Sequence, residues 1–446
     1  MNKLVLGVAG AALLAGGGYV GAAWYAGQKI DGAVERNAEL LKKYPIIKVV
    51  KRDFQKGLFT SVENVTYRIG CDGVEGASLP GELGTVTLRN TISHHPFAPS
   101  MSTEIIYDAK TKAELAKIFK DKEPLQIVTK FALSGAYETT ISSPALTYED
   151  PQGKLNWKGL TATIKSDEAL SFFDATLKVP GVELATPDNQ NISMGELSFE
   201  QQAKRSAEGL YVGTSGMSLA SLDMNFKDEA TPLAIKLGKT ELTGESKVTG
   251  GLMSGSAKGG IASVQLNGKD IGSMTLKYNL DNLDAAALKQ YNDRFWTQGP
   301  LQCKSDPMAD LQAMQQLLLA LLKKDPKLGY EFALKTPEGD SSLALNVASK
   351  GLKEEDLANP QAMLPKIDAS LAVQVPGALI ERVIRETNPA EEAEMALAMF
   401  QGSLEQIVAQ GFVQNDGKLI KSNFTIKGGQ MQLNGQPFDP SMLMGM

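Results

Sequence analysis

Residues 367–375 read Ile-Asp-Ala-Ser-Leu-Ala-Val-Gln-Val. The larger apolar side chains fall on every second position, at Ile367, Leu371, Val373 and Val375, with Ala369 between them. A period of two places them on one face of an extended strand. The same pattern recurs upstream, in Leu222-Met224-Phe226, Leu233-Ile235-Leu237, Met274-Leu276-Tyr278-Leu280 and Leu343-Leu345-Val347. Clusters of Gly, Asn, Asp and Ser separate these runs, as turns between strands require. The alternation predicts a mainly antiparallel sheet with one apolar and one polar face.

Working outward, the chain after this stretch closes in strands. Lys418 to Ile426 is extended, Gly428-Gly429 turns, and Met431 to Leu433 precedes an Asn434-Gly435 turn. Asn-Gly between extended segments favours a tight hairpin. Near the other end, Ile46 to Phe54 and Leu58 to Ile69 read as two strands around Gly57. Helices are expected mainly in the last third, over residues 284–296, 306–324, a segment after Pro376, and 388–410. Asp306-Pro307 is a strong start signal, because Asp caps a helix and Pro is tolerated in its first turn. The leucines that follow make much of that helix apolar. The fold class is therefore α+β: an elongated, mainly antiparallel β-sheet with helices packed against it, preceded by one N-terminal transmembrane helix. No fixed repeat period stands out. A sub-boundary falls near Asn282, where strands give way to helices.

Residues 4–27 contain no charge. A helix needs about 20 apolar residues to cross a hydrocarbon core, and Trp24 and Tyr25 suit the lipid-water boundary. Residues 1–3 form a short head, 4–27 a transmembrane signal-anchor, 28–45 a helical connector ended by Pro45, and 46–446 a strand-rich domain. Cleavage as a signal peptide after Gly21-Ala22-Ala23 is the alternative, against which the length of the run argues. Gly17 and Gly21 have the GxxxG spacing of a homodimer contact. Lys29, Arg36, Lys42 and Lys43 follow the span and by count favour a cytoplasmic domain. Long domains, however, are exported largely regardless of such charges.

The net charge is −6, and no basic tract carries interleaved aromatics, so nucleic acid is not an expected partner. The two cysteines, Cys71 and Cys303, lie in no CxxC or metal-ligand spacing; pairing would need their Cα atoms within about 7 Å. GxSxG, HExxH, P-loop and strand-linked GxGxxG motifs are absent. No catalytic, cofactor-binding or metal-binding residue is assigned, and no cofactor. His94 and His95 are the only histidines. Adjacent residues on a strand point apart, so a loop or strand-end role is expected for them, ahead of a metal or pH-sensing pair. Trp157 and the methionines, Met308, Met314, Met395, Met399, Met431, Met442 and Met444, are expected to pack in the core.

Four stretches carry a resemblance. They are Trp24 to Ile30 (WYAGQKI), Phe54 to Ser61 (FQKGLFTS), Ser93 to Pro99 (SHHPFAP) and Gly428 to Gly435 (GGQMQLNG). In that order along the chain they resemble the YdgA-like family of Gram-negative envelope proteins. The resemblance implies a single-pass inner-membrane anchor at residues 4–27 with the bulk of the chain in the periplasm. It supplies no catalytic residue. Three functions follow: a noncatalytic envelope scaffold or partner-binding module, a lipid-handling protein, and a hydrolase using acidic residues. The lipid reading needs an open apolar groove, with the 306–324 helix as its cover. Alternating strands ordinarily bury their apolar face, so a packed core, and with it the scaffold, is the expectation.

Overall fold

The computed structural model describes residues 46–70, 85–132, 134–188, 190–226, 233–298, 307–353, 355–356 and 359–439, with Ala23, Gly32 and Glu35 before them. The expected span, the connector and both cysteines lie outside the described residues, apart from those three. Among the described residues no helix is long and apolar enough to cross a membrane.

The chain is a mainly antiparallel β-sheet with a few helices, as the alternation predicts. It opens with β1 (Ile47–Gln55), β2 (Thr60–Ile69), β3 (Thr85–Ser93), β4 (Ser100–Ile106), helix α1 (Ala109–Phe119) and β5 (Gln126–Phe131). The middle holds β6 (Ala136–Ser143), β7 (Leu146–Asp150), β8 (Gly153–Trp157), β9 (Leu160–Asp167), β10 (Phe172–Val179) and β11 (Val182–Ala185). It continues through β12 (Asn191–Met194), β13 (Leu197–Arg205), β14 (Tyr211–Leu219), β15 (Leu222–Phe226), β16 (Leu233–Leu237) and β17 (Thr240–Thr249). Two long strands follow, β18 (Leu252–Leu266) and β19 (Lys269–Asp284), then helices α2 (Ala285–Gln298) and α3 (Pro307–Leu322). The last part comprises β20 (Lys327–Thr336), β21 (Gly339–Ser349), α4 (Pro360–Met363), β22 (Ile367–Pro376), α5 (Gly377–Thr387), α6 (Ala390–Ala409), β23 (Gln414–Asn415), β24 (Leu419–Lys427), β25 (Gln430–Leu433) and β26 (Gln436–Pro437).

Helix α1 lies outside the expected last third. Its start is nonetheless well marked: the Asp108 carboxylate accepts from the amides of Lys110 and Thr111, a side-chain N-cap.

Every recorded strand pairing is antiparallel, and neighbours in the main ladder follow chain order: β1, β2, β3, β4, β5, β6, β9, β10, β13, β14, β17, β18, β19, β20, β21, β22, β24 and β25. At about 4.8 Å per strand the ladder measures roughly 80 Å along its path. At Asn282 the ladder is irregular: β19 pairs with β20 only as far as Asp281, the β18 register shifts between Leu280 and Leu283, and Asn282 takes φ of +62°.

Six of the strands skipped by the main ladder form a second one: β7, β8, β11, β12, β15, β16, ending on β18. Each is the continuation of a main-ladder strand past a two-residue break. The breaks are Pro144-Ala145, Lys158-Gly159, Pro180-Gly181, Gly195-Glu196, Ala220-Ser221 and Gly238-Lys239. In β18 the register shifts at the same level, across Ala262-Ser263. The breaks line up into a crease across seven neighbouring chain segments. Proline or glycine occupies most of them, as a bend in a ladder demands. The crease keeps its backbone groups bonded, for example Gly195 N to Ser221 O at 2.9 Å and Gly238 N to Ser263 O at 2.8 Å.

Among the described residues the largest fully buried side chains gather near the N-terminal strands, at Val65, Ile92 and His94, with Ser166, Ala285 and Pro376 buried elsewhere. A buried polar chain joins the N-terminal group: Arg52 Nε donates to Glu63 at 2.6 Å, Asn90 Nδ2 donates to the other Glu63 oxygen at 2.7 Å, and Thr103 Oγ1 donates to Asn90 at 2.7 Å. Burial first, and then the Glu63 charge, raises the nearby Tyr67 hydroxyl above its ordinary range.

Candidate functional site: an open apolar trough

The register shows what the alternation builds. Leu177 faces Phe199, and the row continues through Met217, Leu242, Gly259, Leu276, Phe332, Leu343 and Val373, one residue per strand. A second row runs Tyr278, Tyr330, Leu345, Leu371, Phe424 and Leu433. Beyond the crease a third runs Trp157, Val182, Met194, Leu222, Leu237 and Val264. The opposite face is mainly polar, as in the row Thr243, Lys258, Lys277 and Glu331, with Phe172, Val212 and several alanines among its charged and hydroxyl side chains. Ion pairs lace it, among them Lys277 with Glu331 at 3.3 Å and Lys165 with Glu138 at 3.0 Å. Such exposed pairs add little stability; they mark the solvent side.

Across the crease, matching apolar residues are three apart: Val179 and Val182, Met194 and Leu197, Leu219 and Leu222, Ile261 and Val264. In a flat strand, residues three apart point to opposite faces. Here the two-residue break resets the alternation, and one side-chain contact shows the apolar sets on its two sides brought together. Trp157, on the far side, donates its indole N–H to Ser143 Oγ at 3.1 Å, and Ser143 shares the near apolar face with Ile141. The crease therefore folds two apolar faces toward each other and makes a trough.

The trough is not filled. Met217 is 38 % exposed, Leu242 43 %, Tyr278 39 % and Leu328 38 % on the near side, and Leu184 42 % and Leu266 40 % on the far side. Leu177, Phe199, Leu276, Phe332, Leu343 and Val373 of the long row are half-buried, so among the described residues the face is neither the fully packed core expected nor fully open. The reason is topological. Among the described residues, a meander in chain order pairs each strand with its neighbours and brings no second layer over them. The helices are too few to close it: α2 and α3 pack on β19, and α5 packs on β22. The leucine-rich α3 forms where Asp306-Pro307 predicts a helix, but it presents Leu311 and Leu318 to solvent.

Other expectations resolve residue by residue. His94 is buried, with Nδ1 3.1 Å from Leu58 O, whereas His95 is exposed and its Nδ1 accepts from the amides of Phe97 and Ala98 at 3.2 Å each. The two rings diverge, as the strand-end reading requires. Trp157 is half-buried at the crease. Met308, Met314, Met395 and Met399 are exposed on helix surfaces, against the expected core role; their helices turn those faces away from the sheet. Met442 and Met444 lie outside the described residues. Among the described residues no three His, Cys, Asp or Glu side chains cluster as metal ligands do.

Sequence reasoning missed the crease glycines. Their signal was present as small or Gly/Pro dipeptides recurring about once per strand. A Cβ on Gly181 would stand 2.8 Å from the Met194 carbonyl oxygen, and one on Gly195 2.7 Å from Ser221 Oγ. Only glycine permits strands to approach so closely there.

The family model for bacterial proteins described as "Bacterial protein of unknown function (DUF945)" matches residues 1–441. Protein YdgA of Escherichia coli (strain K12) is 21 % identical over an alignment of 498 positions, covering 100 % of this chain and 97 % of that protein. The YdgA-like resemblance is thus borne out over the full length. No solved structure matches.

Proposed function

The chain belongs to the DUF945 family of bacterial proteins of unknown function, and from its trough we propose that it is a noncatalytic, membrane-anchored protein that holds the acyl chains of a lipid in the bacterial envelope. The carrying observation is the continuous apolar face, lined by one aliphatic or aromatic residue per strand, with Leu242, Met217 and Leu184 left open. The anchor expected at residues 4–27 supports an inner-membrane, periplasm-facing placement.

Physical chemistry favours an acyl chain over a protein partner. Burying a methylene is worth about 0.8 kcal/mol, so a linear chain laid along the rows gains from each carbon without needing specific contacts. The three rows hold no arginine, the charged anchor that protein interfaces favour, whereas their Leu, Phe, Met, Val, Tyr and Trp side chains can lie against an acyl chain. An envelope scaffold would use the same face with a polypeptide as occupant.

In-cell photocrosslinking separates these readings. A photoreactive residue at position 242 should give a lipid adduct by mass spectrometry, and the same residue at position 258, on the polar face, should not. A protein adduct at 242 would move the assignment to the scaffold. Equal labelling at both positions would remove the trough as a binding site.

A further inference from the structure

Helix α3 carries a second apolar surface. Met308, Leu311, Met314 and Leu318 are 66 %, 53 %, 40 % and 51 % exposed. Their spacing of three, three and four residues aligns them on one face, while Ala313 is buried on the other. The helix has one acid, Asp310, which faces Arg294 at 3.8 Å. At its C-terminal end stand Lys323 and Lys324, both exposed. Beside that end lies an open depression of about 650 Å³ lined by Lys323, Gly351, Leu352, Lys353 and Glu355.

We propose that α3 is an interfacial helix that rests on an anionic lipid bilayer, with its apolar stripe in the acyl region and Lys323 and Lys353 at the headgroup phosphates. The arrangement has the parts such a helix uses: an apolar face and cations at headgroup level. Charge decides the occupant. The other exposed helix stripe, Met395 and Met399 on α6, is flanked by Glu391, Glu392 and Glu394, which an anionic surface repels. The α3 stripe is flanked by glutamines and ends in lysines; Lys324 lies 3.8 Å from Asp284 and Lys353 3.5 Å from Glu355, but exposed pairs of this kind hold little energy and can be exchanged for headgroup phosphates, so attraction to anionic lipid adds to apolar burial. This contact is independent of what fills the trough.

The test uses the full chain reconstituted in vesicles with its large domain facing outward. An environment-sensitive fluorescent amino acid is encoded at position 311, 318 or 316, the last being an exposed glutamine. Lipids with nitroxide-labelled acyl chains are the quencher. In phosphatidylethanolamine–phosphatidylglycerol vesicles, positions 311 and 318 should shift to the blue and be quenched, and position 316 should not. Quenching should fall in pure phosphatidylcholine. Lys323→Gln and Lys353→Gln should each lower the equilibrium constant for bilayer contact roughly fivefold at low salt, the equivalent of about 1 kcal/mol per lysine near an anionic surface. Absence of quenching at 311 and 318, or quenching indifferent to lipid charge, would overturn the proposal. So would a blue shift that follows protein density without quenching, which would place a second copy on the stripe. Unchanged circular dichroism and unchanged photolabelling at position 242 would show that the lysine variants act at α3 and not through the fold or the trough.

Discussion

Replacing Gly181 by alanine tests whether the crease is a stereochemical requirement or merely a place where small residues accumulate. Gly181 has φ of +152°, a region essentially reserved for glycine, and holding a side chain there costs of order 1–3 kcal/mol. The added Cβ would also stand 2.8 Å from the Met194 carbonyl oxygen. That obstacle is backbone and cannot rotate aside, unlike the serine hydroxyls opposite Gly195 and Gly238. Together these put Gly181→Ala at about 3 kcal/mol. Gly250 is the control. It sits at φ +60° in the turn between β17 and β18, with nothing within 4 Å of its would-be Cβ, so Gly250→Ala bears only the left-handed backbone cost of about 1 kcal/mol. Hydrogen exchange resolved to individual strands is the suitable assay, because neighbour-only contacts make stability local. Amides of β8 and β10 to β12 should exchange roughly a hundredfold faster in Gly181→Ala, with β20 to β22 unchanged. If Gly181→Ala costs no more than Gly250→Ala, the crease does not depend on glycine there and the argument fails.

Four further predictions follow from where the molecule is closed and where it is open. Ile92 is fully buried, so Ile92→Ala should cost about 2–5 kcal/mol in chemical denaturation; Leu242→Ala, at a half-open position, should cost about 1 kcal/mol or less. Glu63→Ala leaves the buried Asn90 amide without its partner, while the more exposed Arg52 can turn to solvent, and should cost about 1–3 kcal/mol; Glu63→Gln should recover part of it by keeping the bond from Asn90. Leu242→Glu should leave the unfolding midpoint nearly unchanged while abolishing lipid adducts at a neighbouring trough position such as 276; a large midpoint drop would show that the face is core after all. Stability should fall on acidification below about pH 4. Hydrogen bonds hold the carboxyls of Asp108, Asp167, Asp356 and Asp416 below their ordinary range, from Thr111, Ser171, Lys366 and the Leu419 amide respectively. A lowered native pKa means the unfolded chain takes up protons first, so the contribution is complete above the unfolded pKa and is lost as pH falls through the folded one. Asp416→Asn should therefore flatten the acid-unfolding curve, and an unchanged curve would count against this assignment.

Much of the architecture was legible in short-range pattern. The run 367–375 is β22, Leu222 to Phe226 is β15, and the helix starts at Pro307 and after Pro389 stand where proline and its neighbours put them. Local periodicity and capping chemistry carry that information. The stretch between Ile69 and Leu222 gave less, because its strands are rich in Thr, Ser, Lys and Glu and those from β6 onward are broken at the crease. A break of two residues reverses the alternation, so a fifteen-residue strand reads as two weak ones. Whether the apolar face was covered could not be read at all. Val373 and Ile92 look alike in sequence; only the order in which strands pair decides that one lies on an open face and the other in a core.

That order bears on biogenesis. Because each strand of the main ladder joins the one laid down just before it, a chain emerging N-terminus first can add to a single growing edge without waiting for distant segments. Long-range loop closure, the slow step in most large sheets, is nearly absent up to β22. What replaces it is a hazard: at every moment one unpaired edge is exposed to other nascent chains. The apolar face is uncovered throughout the same interval. Assembly rate and extrusion rate should then be coupled, and slowing the chain's emergence should spare it from aggregation more than lowering the temperature does.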